Sequence, residues 1–200
     1  MPITESQIIE ISLPPAWITL AKRQAKAFTD ANLPSHIRHV ESRGETENED
    51  AMTGHLCHIA VAKYLWSYDG ITAYQHSCSK ANMLPTVREA TGNKCISDNG
   101  EDFIDLGLDV KGSLIRTGLP PIKHNSPVRP REWHEDTVIV QCLLSEKKSP
   151  KGARTVYICG WETSEAYKAK GQAKEGTFKG AYVIPIKDLN PMMPMKWRSS

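Results

Sequence analysis

Asp109 and Lys111, in the run Leu108-Asp-Val-Lys-Gly-Ser113, form an acid-x-lysine pair that is the sharpest local feature of the chain. They stand at i and i+2 in a segment that reads as a strand, so alternation puts both side chains on one face. A carboxylate held beside an ammonium suits a site where the acid holds a metal ion. The lysine can then orient or deprotonate a water, or offset charge developing on a phosphate. A second carboxylate just upstream would complete an oxygen-rich site of the kind magnesium takes. Asp98, Asp102 and Asp105 all precede the pair. A plain salt bridge on an exposed sheet face accounts for the same two residues without any catalysis.

Elements on both sides must position this pair. Pro14-Pro15 opens a helix whose body is Ala16–Phe28, with Trp17, Leu20, Ala21, Gln24 and Phe28 near helical spacing. Asn32-Leu-Pro34 ends it. A second helix begins within Glu45–Asp50, where acids favour the N-terminal end of the dipole, and runs to about Tyr68. Ile71–Gln75 reads as a short strand, Ser77–Lys94 is ambiguous, and Ser97–Gly100 is a turn. Asp102-Phe-Ile and Leu106–Lys111 read as two strands joined tightly at Asp105–Gly107. Prolines 120, 121, 127 and 130 make Thr117–Arg131 a loop rather than a central strand. Thr137–Leu144 and Thr155–Trp161 are strands around a polar hairpin connection, Ser145–Arg154. Glu162–Lys170 is a short helix, Ala181–Ile186 a last strand, and Lys187 onward a tail.

Helices followed by strands with helical insertions predict an α/β or α+β protein with a central mixed β-sheet flanked by helices. No boundary divides the 200 residues convincingly. One domain is expected: residues 1–44 as an N-terminal helical extension, 45–190 as the core, and 191–200 as a tail.

Apolar residues make up 40% of the chain and charged residues 24%, enough apolar content for a core, which excludes a wholly disordered chain. Apolar runs such as Thr137-Val-Ile-Val140 are too short to span a bilayer. Met1–Leu20 carries Glu5 and Glu10 and lacks the basic start and apolar stretch of a secretory signal, so a cytoplasmic protein is expected. Five scattered cysteines without a CxxC pair suit reduced thiols. Charge is unevenly spread. Residues 41–50 carry −4, residues 110–131 carry +5, and residues 147–181 carry +5. An acidic cluster beside basic stretches suits a protein that gathers cations at one point and phosphates around it; chance clustering on a solvated surface is the plainer alternative.

Asp102-Phe-Ile-Asp-Leu-Gly-Leu-Asp-Val-Lys-Gly-Ser113 resembles the core hairpin of the PD-(D/E)XK nuclease superfamily, an acid, a short hairpin, then acid-x-Lys. His58-Ile-Ala-Val-Ala-Lys-Tyr-Leu65 is similar to the end of the first core helix in many phage and bacterial members, with His58 where the family has glutamate. Glu47 lies eleven residues earlier on nearly the same helix face, about 16 Å away along the axis. Later segments, Asp136–Val140, Val156–Trp161 and Tyr182–Leu189, resemble the later core strands and closing segment, so the likeness covers roughly residues 50–190.

The resemblance implies a restriction-endonuclease-like fold and a magnesium- or manganese-dependent deoxyribonuclease. Asp109 matches the second acid and Lys111 the lysine. Asp102 matches the first acid best, with Asp98 as the alternative. Asp102, Asp109 and the main-chain carbonyl of Val110 would hold the metal, and Gln141 would point at the scissile phosphate. Arg116, Lys123, Arg129 and Arg131, with the lysines of 147–179, would contact DNA. Trp133 or Trp161 would stack on a base or sugar, although a core role suits Trp161 better. Many members cut duplexes as dimers, so a homodimer is compatible with the resemblance, as is a bacterial or phage-infected host cell. A catalytically inactive nucleic-acid-binding protein on the same fold is the alternative.

Other candidates are weaker. His55 and His58 could hold zinc from one helix, but no matching pair stands at ligand spacing, His36 and His39 being the nearest. Cys57 and Cys159 read as buried small residues. Glycine-rich phosphate loops and a Gly-x-Ser-x-Gly elbow are absent.

Overall fold

The computed structural model describes residues 2–30, 47–66, 107–116, 118–130 and 133–192. Strand β1 (Ile9–Leu13) leads into helix α1 (Pro15–Asp30), and helix α2 spans Glu47–Trp66. Strands β2 (Leu108–Ile115), β3 (Asn125–Val128), β4 (Val138–Lys148) and β5 (Arg154–Thr163) follow, then helix α3 (Ser164–Lys170) and strand β6 (Tyr182–Pro185).

The main sheet has four strands in the order β1-β5-β4-β2. β2 runs parallel to β4, β4 antiparallel to β5, and β5 antiparallel to β1. This is the expected mixed sheet flanked by helices. On one face lie α1 and α2, which bury Trp17, Ile18, Leu56 and Ile59 against Val110, Val140, Cys142 and Ile158. On the other lie α3 and the two-stranded β3–β6 ribbon, which bury Val128, Tyr167 and Ile184 against Ile139, Leu143 and Cys159. Helix α2 is buried around its whole circumference from Leu56 to Ala62, so its sequence is apolar on every side rather than along one stripe.

β4 runs on through Ser145–Lys148, expected as part of the hairpin connection, and β2 runs to Ile115, past the expected end at Lys111; three further segments differ from their sequence reading. Thr117–Arg131, expected as a loop, contains β3; Pro127 sits in this short strand because the two-stranded ribbon is all edge, where a missing N–H is tolerated. The N-terminal segment supplies β1 as well as α1. Its five residues alternate half-buried and exposed before Leu13, too short a pattern to stand out without its partner β5. The tail joins the core as far as Met192. Asn190 exchanges 2.9 Å backbone hydrogen bonds with Trp161 in both directions, Leu189 is buried, and the Tyr64 hydroxyl donates to the Met192 carbonyl. The expected strand at Ile71–Gln75, the turn at Ser97–Gly100 and the first arm of the hairpin, Asp102–Ile104, lie outside the described residues.

Candidate active site

Strand alternation places Asp109 and Lys111 together on the face of β2 that looks toward the β3–β6 ribbon. Lys111 Nζ lies 2.8 Å from Asp109 Oδ2. Asp109 is 3% exposed, whereas the lysine side chain keeps 23% of its surface. A carboxylate taken out of water needs a compensating charge. The lysine supplies it while its long stem lets the ammonium reach the surface.

The opposite face of β2 explains why the strand lies where it does. Val110 packs into the α2 side of the core, and Gly112 abuts the helix. A Cβ at Gly112 would stand 2.9 Å from Cys57 Sγ and 3.4 Å from the Thr53 carbonyl oxygen. Glycine at this position lets β2 approach α2 closely, which fixes the strand one residue beyond Lys111.

Gln141 neighbours Lys111 in the parallel register. It is fully buried, and its amide is turned into the protein. Nε2 donates to the Lys111 carbonyl at 3.0 Å and to the Cys142 carbonyl at 2.7 Å. Oε1 accepts from Ser126 Oγ at 2.7 Å. Because the serine hydrogen is spent on Gln141, the Tyr167 hydroxyl donates to Ser126 in turn. Burial pushes the Tyr167 phenol well above its ordinary range, so it stays a neutral donor. A fully buried polar chain thus runs from α3 through β3 to the backbone of the lysine.

Glu162 was not anticipated as a neighbour of this face. It pairs with Ile139, which pairs with Asp109, so the three residues form one row across β5, β4 and β2. Two strand spacings put the backbones of Asp109 and Glu162 about 10 Å apart. The Glu162 carboxylate accepts from its neighbour's Thr163 N–H at 2.9 Å and from Asn190 Nδ2 at 3.0 Å. A bulge makes this placement: Gln141 pairs with Gly160 while Cys142 pairs with Ile158, leaving Cys159 as the extra residue. Strict alternation from Ile158 would turn Glu162 toward α2. The sequence carries one signal of the bulge, Gly160, whose φ is +147°.

Of the other expected residues, Asp98, Asp102, Asp105 and Arg131 lie outside the described residues. Arg116 and Lys123 are exposed and Arg129 is half-buried. His55 and His58 are buried on α2, their ring centroids 6.3 Å apart in an edge-on arrangement. Among the described residues, no group of three or more His, Cys, Asp or Glu side chains stands at metal-binding distance. Cys57, Cys142 and Cys159 are buried thiols, and burial pushes the Cys159 thiol far up. Trp161 is built into the fold: its indole N–H donates to the Pro191 carbonyl at 3.2 Å. Trp133 is half-buried, with its N–H on the Ser164 carbonyl at 2.7 Å and Lys168 Nζ 4.4 Å above its ring.

No family model matches the chain, and no curated protein or solved structure matches it either. No described helix is long and apolar enough to cross a membrane.

Proposed function

We propose that this protein is a metal-dependent endonuclease that hydrolyses DNA phosphodiester bonds. The observation that carries the reading is the buried Asp109 carboxylate 2.8 Å from Lys111 Nζ on one face of β2, in the acid-x-lysine spacing. The donor chemistry fits a hard divalent cation, since Asp109 offers anionic oxygen at a point already shielded from water. Asp109, with the Val110 carbonyl and Asp102, would hold magnesium or manganese. When bound, the ion supplies Lewis-acid activation of a water and stabilisation of phosphate charge.

The chain's own groups divide the remaining work. Lys111 donates hydrogen bonds to the attacking water and offsets the charge that grows on the phosphate. Gln141 holds the backbone of that lysine. Arg116, Lys123 and Arg129 contact the phosphate backbone of DNA, which makes affinity salt-sensitive.

The test is a cleavage assay on supercoiled plasmid, linear duplex, single strands and a four-way junction, with magnesium, manganese or EDTA. Metal-dependent cutting that falls about 100-fold or more in Asp109→Ala and Lys111→Ala is the expected result. A second reading, a non-catalytic DNA-binding protein, is favoured by His58 standing on α2 where the resembled family has an acid. Retained DNA in a gel shift with no cutting under either metal would select it.

A further inference from the structure

We infer that the β3–β6 ribbon assembles two distant basic segments into one grip for the phosphate backbone of duplex DNA, centred on an arm at residues 168–181. This rests on the nucleic-acid reading above and names its main contact surface. Between Ala166 and Lys187 the chain carries five lysines against a single acid, Glu175. Lys168 and Lys170 close the last turn of α3, and Lys174 and Lys179 lie on the excursion that follows; all four are exposed. Among the described residues none of Lys170, Lys174 and Lys179 is paired with a carboxylate.

The excursion is a built element. Ala173 N–H donates to Ala181 O at 2.9 Å and Gly180 N–H returns to Ala173 O at 2.8 Å. Gln172 bridges Tyr182, and Gly171, Gly176 and Gly180 take left-handed backbone angles of +74°, +80° and +81°. Lysines on such a frame are held apart at fixed places rather than scattered along a coil. Lys168 is further fixed over the Trp133 ring.

Tertiary structure then joins this arm to the other basic segment. Val128 pairs with Tyr182, so Arg129, the next residue of one chain segment, meets the end of the arm from which β6 departs. Trp133, four residues beyond Arg129, lies under Lys168. Arg129 and the end of the lysine arm at Ala181 therefore meet at one end of the ribbon, on the same side of the main sheet as Asp109 and Lys111.

The choice of duplex over single strand follows from the chemistry of the arm, whose exposed charged groups are lysines beside half-buried rings. Single strands are held by exposed aromatic platforms. Beside the lysines of the arm the two aromatic rings are half-buried, Trp133 under Lys168 and Phe178 within the excursion. Lysines are point charges that suit phosphates without reading bases.

The experiment measures binding of the full chain to a 30-base-pair duplex and to a 30-nucleotide single strand in EDTA, across a salt series. Each lost phosphate contact lowers the slope of log affinity against log salt by about 0.9. The triple variant Lys170→Gln/Lys174→Gln/Lys179→Gln is expected to lower the slope by roughly 2–3 and weaken duplex binding at least tenfold at low salt. The control Lys22→Gln/Arg23→Gln, on α1 across the sheet, is expected to leave both unchanged. Thermal unfolding checks that each variant is folded. An unchanged slope in the triple variant, an equal loss in the control, tighter binding of the single strand, or no duplex binding by the parent would each overturn the inference. Reading binding in EDTA answers this separately from cleavage, since a protein that binds through the arm but never cuts fails only the endonuclease reading.

Discussion

Gln141 Nε2 donates a 3.0 Å hydrogen bond to the carbonyl oxygen of Lys111 in the adjacent parallel strand. This single contact ties the backbone of the candidate catalytic lysine to a chain of buried hydroxyls on β3 and α3. The ammonium of this residue is thus held by Asp109 on its own strand and its backbone by Gln141 on the adjacent one.

Deleting links of that chain should have unequal costs. Tyr167→Phe removes one donor and leaves Ser126 still bonded to Gln141, so about 1 kcal/mol of stability is lost. Gln141→Leu takes the amide donor from the Lys111 and Cys142 carbonyls and leaves Ser126 only Tyr167, with an expected loss of roughly 2–4 kcal/mol. Denaturant midpoints of the two single variants and the double variant measure this. The double variant should lose more than the sum, because only then is the Ser126 hydroxyl left with neither side-chain partner.

Gly160→Ala tests the bulge. A Cβ there would lie 2.6 Å from the Asn190 carbonyl oxygen, at a φ of +147°. Backbone must shift, and the expected cost is about 3 kcal/mol or more. Gly171→Ala is the comparison, since φ is +74° but nothing lies within 4 Å of its Cβ. It should cost about 1–2 kcal/mol from conformation alone. Thermal unfolding of the pair separates strain from collision.

Gly112 and Cys57 predict a compensating pair. Gly112→Ala drives a methyl to 2.9 Å from Cys57 Sγ and should destabilise by about 1–3 kcal/mol. Cys57→Ala removes the sulfur and should cost something on its own. Combined, the two should lose less than their sum, and a strictly additive double-mutant cycle would contradict the close packing of β2 on α2.

Glu165 should make a small acid-side contribution to stability. Its carboxylate accepts from the Asp136 N–H at 3.1 Å and from Ser164 Oγ at 2.8 Å, in the first turn of α3. Those bonds, the Asp136 backbone first, hold its pKa below the ordinary glutamate range. The contribution is present above the ordinary glutamate pKa and is lost as pH falls through the lower folded value. Glu165→Gln should cost about 0.5 kcal/mol at neutral pH, and the two proteins should converge in acid. Urea denaturation at several pH values measures the convergence.

Much of the architecture is legible from the chain because its signals are local. Pro14-Pro15 and the apolar spacing after it announce α1, and the apolar run before Ser145 announces β4. Other parts have only distant causes. Ser126 shows no sign of function in a proline-rich stretch; its role comes from Gln141 and Tyr167, 15 and 41 residues away. The segment 189–192 is short and lacks a period, and it becomes part of the core only by docking on Trp161 and Tyr64.

By itself the sequence determined that Asp109 and Lys111 share a face, because a strand repeats every two residues and no partner is needed to make it so. Tertiary structure alone decided what that face meets. The β2–β4 register put Gln141 beside Lys111, the bulge at Cys159 turned Glu162 into the row of Asp109, and the β3–β6 pairing brought Arg129 to the lysine arm. The reason is that alternation fixes orientation within a strand, whereas register, bulges and sheet order are set by pairings between residues far apart in the chain.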